Sequence, residues 1–498
     1  MIAEGRWPPV GAAARRFRSQ WVYVMTTSAG AVLTAGIVVQ HPIALLVMLL
    51  VVVVTAAAYF EGPWALGVVF AWMAVAGTGI STGISIGGIH VPVLYVLIAF
   101  LMAVAGIRHS VRHSVEQQSA PRLAPALFLA LPAVALGALG LFLGNDSTLV
   151  REEGLVWIGG ALVVALTALT LRSPRHVGQL AVVLAVCGAL AAAKSLLVAG
   201  SGVLSSQSGL LQVSSSVDPQ FQVERIIEAG GDMILTVGVP ICVGLLRVAR
   251  GGRALLLVGV LVLTSVGLVL TYTRTLIAAA LIGGVVACLV PLRGQRHTRN
   301  LVWLMAGIAL VGLLLTFRYG PSQYNAGDAV ARRLTGGPQA GSSTLAERTS
   351  EAKAALSIDP SLTLTVGRGL GSTFLSPTVP EAGFTDWTHV GYAWVVMKGG
   401  IPFLVFVLIL FVWSARRMVR AGREAHDNKM FAGAAAGLAG AIVAFAALGA
   451  LLNPFASVDG LIIFGTLLGA AAIAGQFVLP RNSKTPAADR SSRLVRPI

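Results

Sequence analysis

Along this chain the polar positions come in clusters and the apolar positions in long unbroken runs. Stretches of about seventeen or more mostly apolar residues lie near 21–39, 42–60, 64–80, 91–107, 123–143, 154–171, 179–199, 233–249, 254–273, 275–292, 301–317, 389–414, 430–452 and 457–479. A helix of ~20 residues rising ~1.5 Å per residue crosses the ~30 Å hydrocarbon core, so each run is a candidate span. The runs do not alternate apolar with polar, which excludes a closed barrel, and the helix is the other fold that satisfies its own backbone in lipid. The pattern predicts an all-α polytopic membrane protein of about fourteen transmembrane helices. The first run follows a basic amino terminus as a secretory leader would, but its length and the many spans after it mark it as a retained helix.

Composition agrees: 56% of residues are hydrophobic and 11% charged, with a mean hydropathy of +0.82, values outside the soluble globular range. A net charge of +16 would point to nucleic acid in a soluble protein. Here its distribution carries the meaning. With the amino terminus inside and the spans alternating sides, 25 of the 36 basic residues but only 6 of the 20 acidic ones fall in cytoplasmic segments. That asymmetry is the positive-inside pattern, so the basic excess reports orientation and contact with anionic lipid and needs no nucleic-acid partner. Cys187, Cys242 and Cys288 all sit in apolar runs, which leaves the polar loops without a disulfide framework or zinc-ligand spacing.

This orientation divides the chain into a cytoplasmic basic terminus (1–20), helices 1–11 (21–317) with an outer loop at 200–232, a large extracytoplasmic loop (318–388), helices 12–14 (389–479) and a basic cytoplasmic tail (480–498). The Ser/Gly-rich parts of both outer loops read as flexible. A polar segment of about seventy residues is too long for a passive connection, and such loops carry function. It is read as the lid and part of the active site of a membrane enzyme.

Few ionisable residues belong to the outer face, and four stand out. Arg274 lies in Thr271-Tyr272-Thr273-Arg274-Thr275, a small polar break between two apolar runs, where it either snorkels to lipid phosphate or serves as a fixed cation for a phosphate-bearing substrate. Arg225, beside Glu224 and near Glu228, either pairs with an acid or serves the same purpose. Arg348 follows Thr344 and Glu347, which have capping-box spacing, and sits at the edge of an apolar helix face made by Leu345, Ala352, Ala355 and Leu356, with Glu347 and Glu351 projecting the other way. The cluster Gly367-Arg368-Gly369-Leu370-Gly371 lacks the following apolar helix of a nucleotide-binding loop and reads as a flexible turn. His389 opens the twelfth helix where the loop re-enters lipid; histidine changes protonation near neutral pH, which suits a general base. His109 and His113 have metal-ligand spacing, but Arg108 and Arg112 would repel a divalent cation.

Together these features resemble the O-antigen ligase and O-antigen polymerase superfamily of bacterial membrane glycosyltransferases, over roughly residues 220 to 415. The resemblance rests on Thr273-Arg274 as a Ser/Thr-Arg motif at a helix start, Arg348 on an outer-loop helix, the glycine turn within Asp359 to Gly371, and the histidine opening the next helix. The family commonly has His-Asn where this chain has His389-Val390, and an asparagine near Asp232. The resemblance implies a GT-C-like enzyme of the cytoplasmic (inner) membrane, acting on its extracytoplasmic face. It would transfer a glycan from a polyprenyl-diphosphate-linked donor to an acceptor sugar by an inverting displacement, without a cofactor. Arg274, Arg348 and Arg225 would hold the diphosphate, and His389 would deprotonate the acceptor. Guanidinium forks stabilise a departing diphosphate bidentately, and the absence of any Asp-x-Asp pair argues against a metal in that place. Two other readings stay open: a transporter or flippase for a lipid-linked or anionic solute, and a peptidoglycan-type polymerase using Asp359 or Asp386 as base.

Overall fold

The computed structural model describes residues 62–76, 83–86, 89–116, 124–201, 213–218, 223–228, 231–271, 273–292, 338–377, 383–425 and 428–477. The expected helices at 21–39, 42–60 and 301–317, both terminal segments and residues 318–337 of the large loop lie outside them. Each of the other eleven apolar runs carries a helix. In chain order these are α1 (Trp64–Ala76), α2 (Val93–Glu116), α3 (Ala124–Phe142), α4 (Ser147–Thr170), α5 (Pro174–Ser201), α6 (Gly231–Leu246), α7 (Gly252–Leu270) and α8 (Arg274–Leu289). The polar segment contributes α9 (Pro338–Ser357) and α10 (Pro360–Thr365), and then come α11 (Gly391–Glu424), α12 (Lys429–Leu448) and α13 (Val458–Ala474). Seven helices among the described residues are long and apolar enough to cross a membrane: α2, α3, α4, α5, α7, α11 and α12. The protein is a multi-pass helical membrane protein.

Among the described residues strand is confined to three short antiparallel hairpins, which the helical reading did not include: β1 (Gly83–Ile86) with β2 (Ile89–Pro92), β3 (Val213–Asp218) with β4 (Val223–Glu228), and β5 (Phe374–Leu375) with β6 (Phe384–Thr385). The second occupies much of the outer loop read as flexible, and β4 packs against α5 and α6.

The helices pack through small residues, because lipid gives apolar side chains no incentive to leave it and close backbone approach supplies the attraction instead. A methyl group on Gly244 of α6 would meet the Gly433 carbonyl of α12 at 2.5 Å, and one on Gly283 of α8 would meet the Gly440 carbonyl at 2.6 Å. Accordingly α12 is buried along nearly all its length, between α6, α8 and α11. On the periphery the order reverses, with Leu131, Val134, Leu255 and Leu256 exposed as side chains that face hydrocarbon must be.

Two helix boundaries differ from the expectation with consequences for the site. α4 begins at Ser147, because Asp146 Oδ1 accepts the Thr148 amide at 2.7 Å, and this draws Glu153 inside a membrane helix. α11 continues to Glu424 and is interrupted at Gly400, whose φ of 69° breaks the helix where the end of α10 packs against it.

Candidate active site

The buried face of α9 runs through Arg348, Glu351 and Ala355. Spacings of three and four residues bring these side chains onto one stripe. Glu351 is 6% exposed, so it does not project to solvent as the helical-face reading had it. That reading started the helix near Thr344, whereas α9 begins at Pro338 and Thr344 lies inside it, not at a cap. Glu351 Oε2 lies 2.8 Å from His389 Nδ1 and also accepts the His389 amide at 3.2 Å. One turn earlier, Arg348 Nη1 donates to Thr275 Oγ1 at 3.2 Å. Thr275 is the second residue of α8, directly after Arg274. A single amphipathic helix therefore joins the start of α8 to the start of α11.

His389 sits two residues ahead of α11, whose N-cap is Val390, so it precedes the helix rather than opening it. Its side chain is 41% exposed, and the edge of Trp387 lies 4.4 Å away, centroid to centroid. With Nδ1 held by Glu351, the ring's Nε2 is the nitrogen left for chemistry. Half-burial lowers the Arg348 pKa, Glu351 and Glu347 counter part of that, and the guanidinium stays cationic at neutral pH.

The glycine cluster behaves differently from a flexible turn. Gly367, Gly369 and Gly371 all have positive φ, at 82°, 74° and 73°, and every amide from Arg368 to Gly371 has a distant acceptor. Arg368 donates to the Met397 carbonyl at 2.8 Å and Gly369 to that of Lys398 at 2.9 Å; Leu370 donates to Leu136 at 3.0 Å. Gly371 donates to Glu153 Oε2 at 2.7 Å. Asn145 Nδ2 closes the far side, donating to the Arg368 and Leu370 carbonyls at 2.8 Å each. Beneath lies Lys398, fully buried, whose Nζ donates to Glu153 Oε1 and to the Ser372 carbonyl. The turn is a wedge clamped between α3, α4 and α11.

The remaining candidates divide. Arg225 lies in β4, opposite Ser216 in the hairpin register, and nothing further places it beside Arg348 or His389. Asp359 is exposed and caps α10, accepting from Ser361 and the Leu362 amide; these bonds hold its pKa below the usual carboxylate range, which makes it a poor base. The Asp386 carbonyl accepts from Trp394 Nε1 at 3.1 Å. His109 Nδ1 lies 2.7 Å from an Arg172 guanidinium nitrogen, an arrangement hostile to a metal ion. Sequence reasoning missed Glu351, the Glu153–Lys398 pair and Asn453. Asn453 packs against Gly391 at the foot of α11, is 4% exposed, and has no hydrogen-bond partner for either amide atom among the described residues. Only the ion pair had a sequence signal, since an acid at the edge of one apolar run and a lysine inside another are costly unless paired.

No family model and no curated protein matches this chain. One solved structure, described as "Structural coordination of polymerization and crosslinking by a peptidoglycan synthase complex", is similar to it at 19% identity with a TM-score of 0.38, covering 70% of this chain and 96% of that one.

Proposed function

We propose that the protein is a membrane glycosyltransferase that moves a glycan from a polyprenyl-diphosphate donor to an acceptor sugar hydroxyl on the extracytoplasmic face, in the manner of an O-antigen ligase or polysaccharide polymerase. The observation that carries this reading is the two-ended grip of α9: Arg348 on Thr275 beside Arg274, and Glu351 on His389. α9 thereby links cations suited to a leaving diphosphate with a base suited to an acceptor hydroxyl. In the reaction, the acceptor oxygen attacks the anomeric carbon as the bond to the diphosphate oxygen breaks. His389 Nε2 takes the hydroxyl proton, Glu351 supports the imidazolium, and Arg274 and Arg348 stabilise the charge on the departing polyprenyl diphosphate. The carrier lipid remains in the membrane.

The test supplies purified protein with lipid-linked oligosaccharide and acceptor, then measures bound donor and joined glycan separately. His389→Ala is expected to keep donor binding and lose roughly 100- to 10,000-fold in transfer, the range for a positioned acid–base group; Glu351→Gln should lose less, roughly 10- to 100-fold. Transfer is expected to survive EDTA, because guanidinium groups occupy the role a metal would have. Wild-type protein that binds donor and joins nothing with any acceptor would sink the transferase reading in favour of transport.

A further inference from the structure

Past the break at Gly400, α11 runs 20 steps further to Arg420, about 30 Å at ~1.5 Å per residue. The hydrocarbon core is ~30 Å thick, so Arg416, Arg417 and Arg420 stand at the end of the span away from His389, where the positive-inside pattern puts the cytoplasmic surface. There they crown a groove of about 860 Å³. The wall below them is apolar and open, with Ile409 58% and Val412 51% exposed. The crown is partly preset. The Arg417 guanidinium lies 4.7 Å over the Trp413 ring and donates to the Ala472 carbonyl at 3.4 Å. Gly475, also lining the groove, leaves the space it fills, since a methyl there would meet Arg417 Nε at 2.8 Å. Arg420 Nε donates to Glu424 Oε1 at 2.8 Å, and Arg416 is exposed. Arg416, Arg417 and Arg420 thus line one end of the groove, with Glu424 paired to Arg420, directly above an apolar wall.

We propose that this groove binds one acidic glycerophospholipid, its phosphate held by Arg416, Arg417 and Arg420 and one acyl chain lying along the wall. The chemistry of both ends is specified. Guanidinium forks match phosphate oxygens bidentately, an excess positive charge selects an anionic headgroup, and the wall needs an alkyl chain rather than a free anion. The site lies on the other membrane face from His389 and stands whether or not the transferase reading does.

Native mass spectrometry of the full chain, released from detergent with phosphatidylglycerol or with phosphatidylcholine of the same chains, tests it. One phosphatidylglycerol should be retained in clear preference. Arg416→Gln with Arg420→Gln should weaken retention by roughly 10- to 30-fold at unchanged thermal stability, near fivefold per arginine. Arg253→Gln, which removes one charge at an exposed site on α7, should leave it unchanged. A photo-crosslinker at Ile409 should label added lipid. Equal retention of both lipids, an equal loss in Arg253→Gln, equal occupancy by inorganic phosphate, or crosslinking to residues 21–60 of the same chain would each overturn the proposal.

Discussion

An arginine and a lysine carry the same charge, yet only the arginine offers a planar fork, and Arg348 uses that geometry to reach Thr275 while its Nε has no partner among the described residues. Arg274→Lys and Arg348→Lys are therefore expected to stay strongly impaired, and alanine at either position should be worse. A lost bidentate contact to a developing charge costs on the order of 2 to 4 kcal/mol, roughly 30- to 1,000-fold in rate. Steady-state transfer at matched protein levels checks this; near-normal turnover in both lysine variants would return the two arginines to lipid anchoring. Of the three site residues central to the proposal, Arg274 and His389 stood out as polar groups at the border of an apolar run, and Arg348 as a cation at the edge of an apolar helix face. Glu351 was hidden by the opposite circumstance. In a polar helix a glutamate looks solvated, and only the partner 38 residues later shows that it is buried.

At the scale of elements, the membrane helices were legible because lipid demands long apolar runs, and the eleven that can be compared lie where those runs lie. The glycine turn was not. Gly-x-Gly-x-Gly serves mobility and close approach equally well, and the acceptors that decide between them, Leu136 and Glu153, lie more than 200 residues upstream. Clamping makes a specific prediction. Gly369 and Gly383 both have positive φ, but a methyl on Gly369 would enter the Gly140 backbone, whereas one on Gly383 meets nothing within 4 Å. Gly383→Ala should cost only about 1 kcal/mol of backbone strain, and Gly369→Ala several times more. Thermal unfolding in detergent would rank them, and equal losses would show that the turn tolerates displacement.

At the scale of the molecule, the charge asymmetry orients the chain. Reporter fusions should place residues 318–388 outside and both termini in the cytoplasm. Phosphatase activity from a fusion at either terminus would reverse that orientation and remove the basis for an extracytoplasmic site. Neither the wedge between α3, α4 and α11 nor the groove at the far end of α11 could be foreseen, since both depend on which helices become neighbours, and a continuously apolar run does not encode its partner.

The Glu153–Lys398 contact spans 245 positions, and a ribosome makes its two halves far apart in time. At ~5–20 residues per second the carboxyl waits about ten to fifty seconds before its lysine exists. Throughout that interval Glu153 sits in α4 without Lys398, and a buried acid in a span is costly until its partner arrives, which leaves the segment open to membrane quality control. A chain stopped at residue 390 should therefore be cleared rapidly, and Glu153→Leu should prolong its life. In the complete protein the same change should do harm, because it strands Lys398 at a cost of about 3–5 kcal/mol, and Lys398→Leu added to it should recover much of the loss. Pulse-chase labelling of the five chains, two stopped and three complete, would show this reversal of sign. Identical lifetimes for the stopped chain with and without Glu153 would mean that α4 never waits alone in the bilayer.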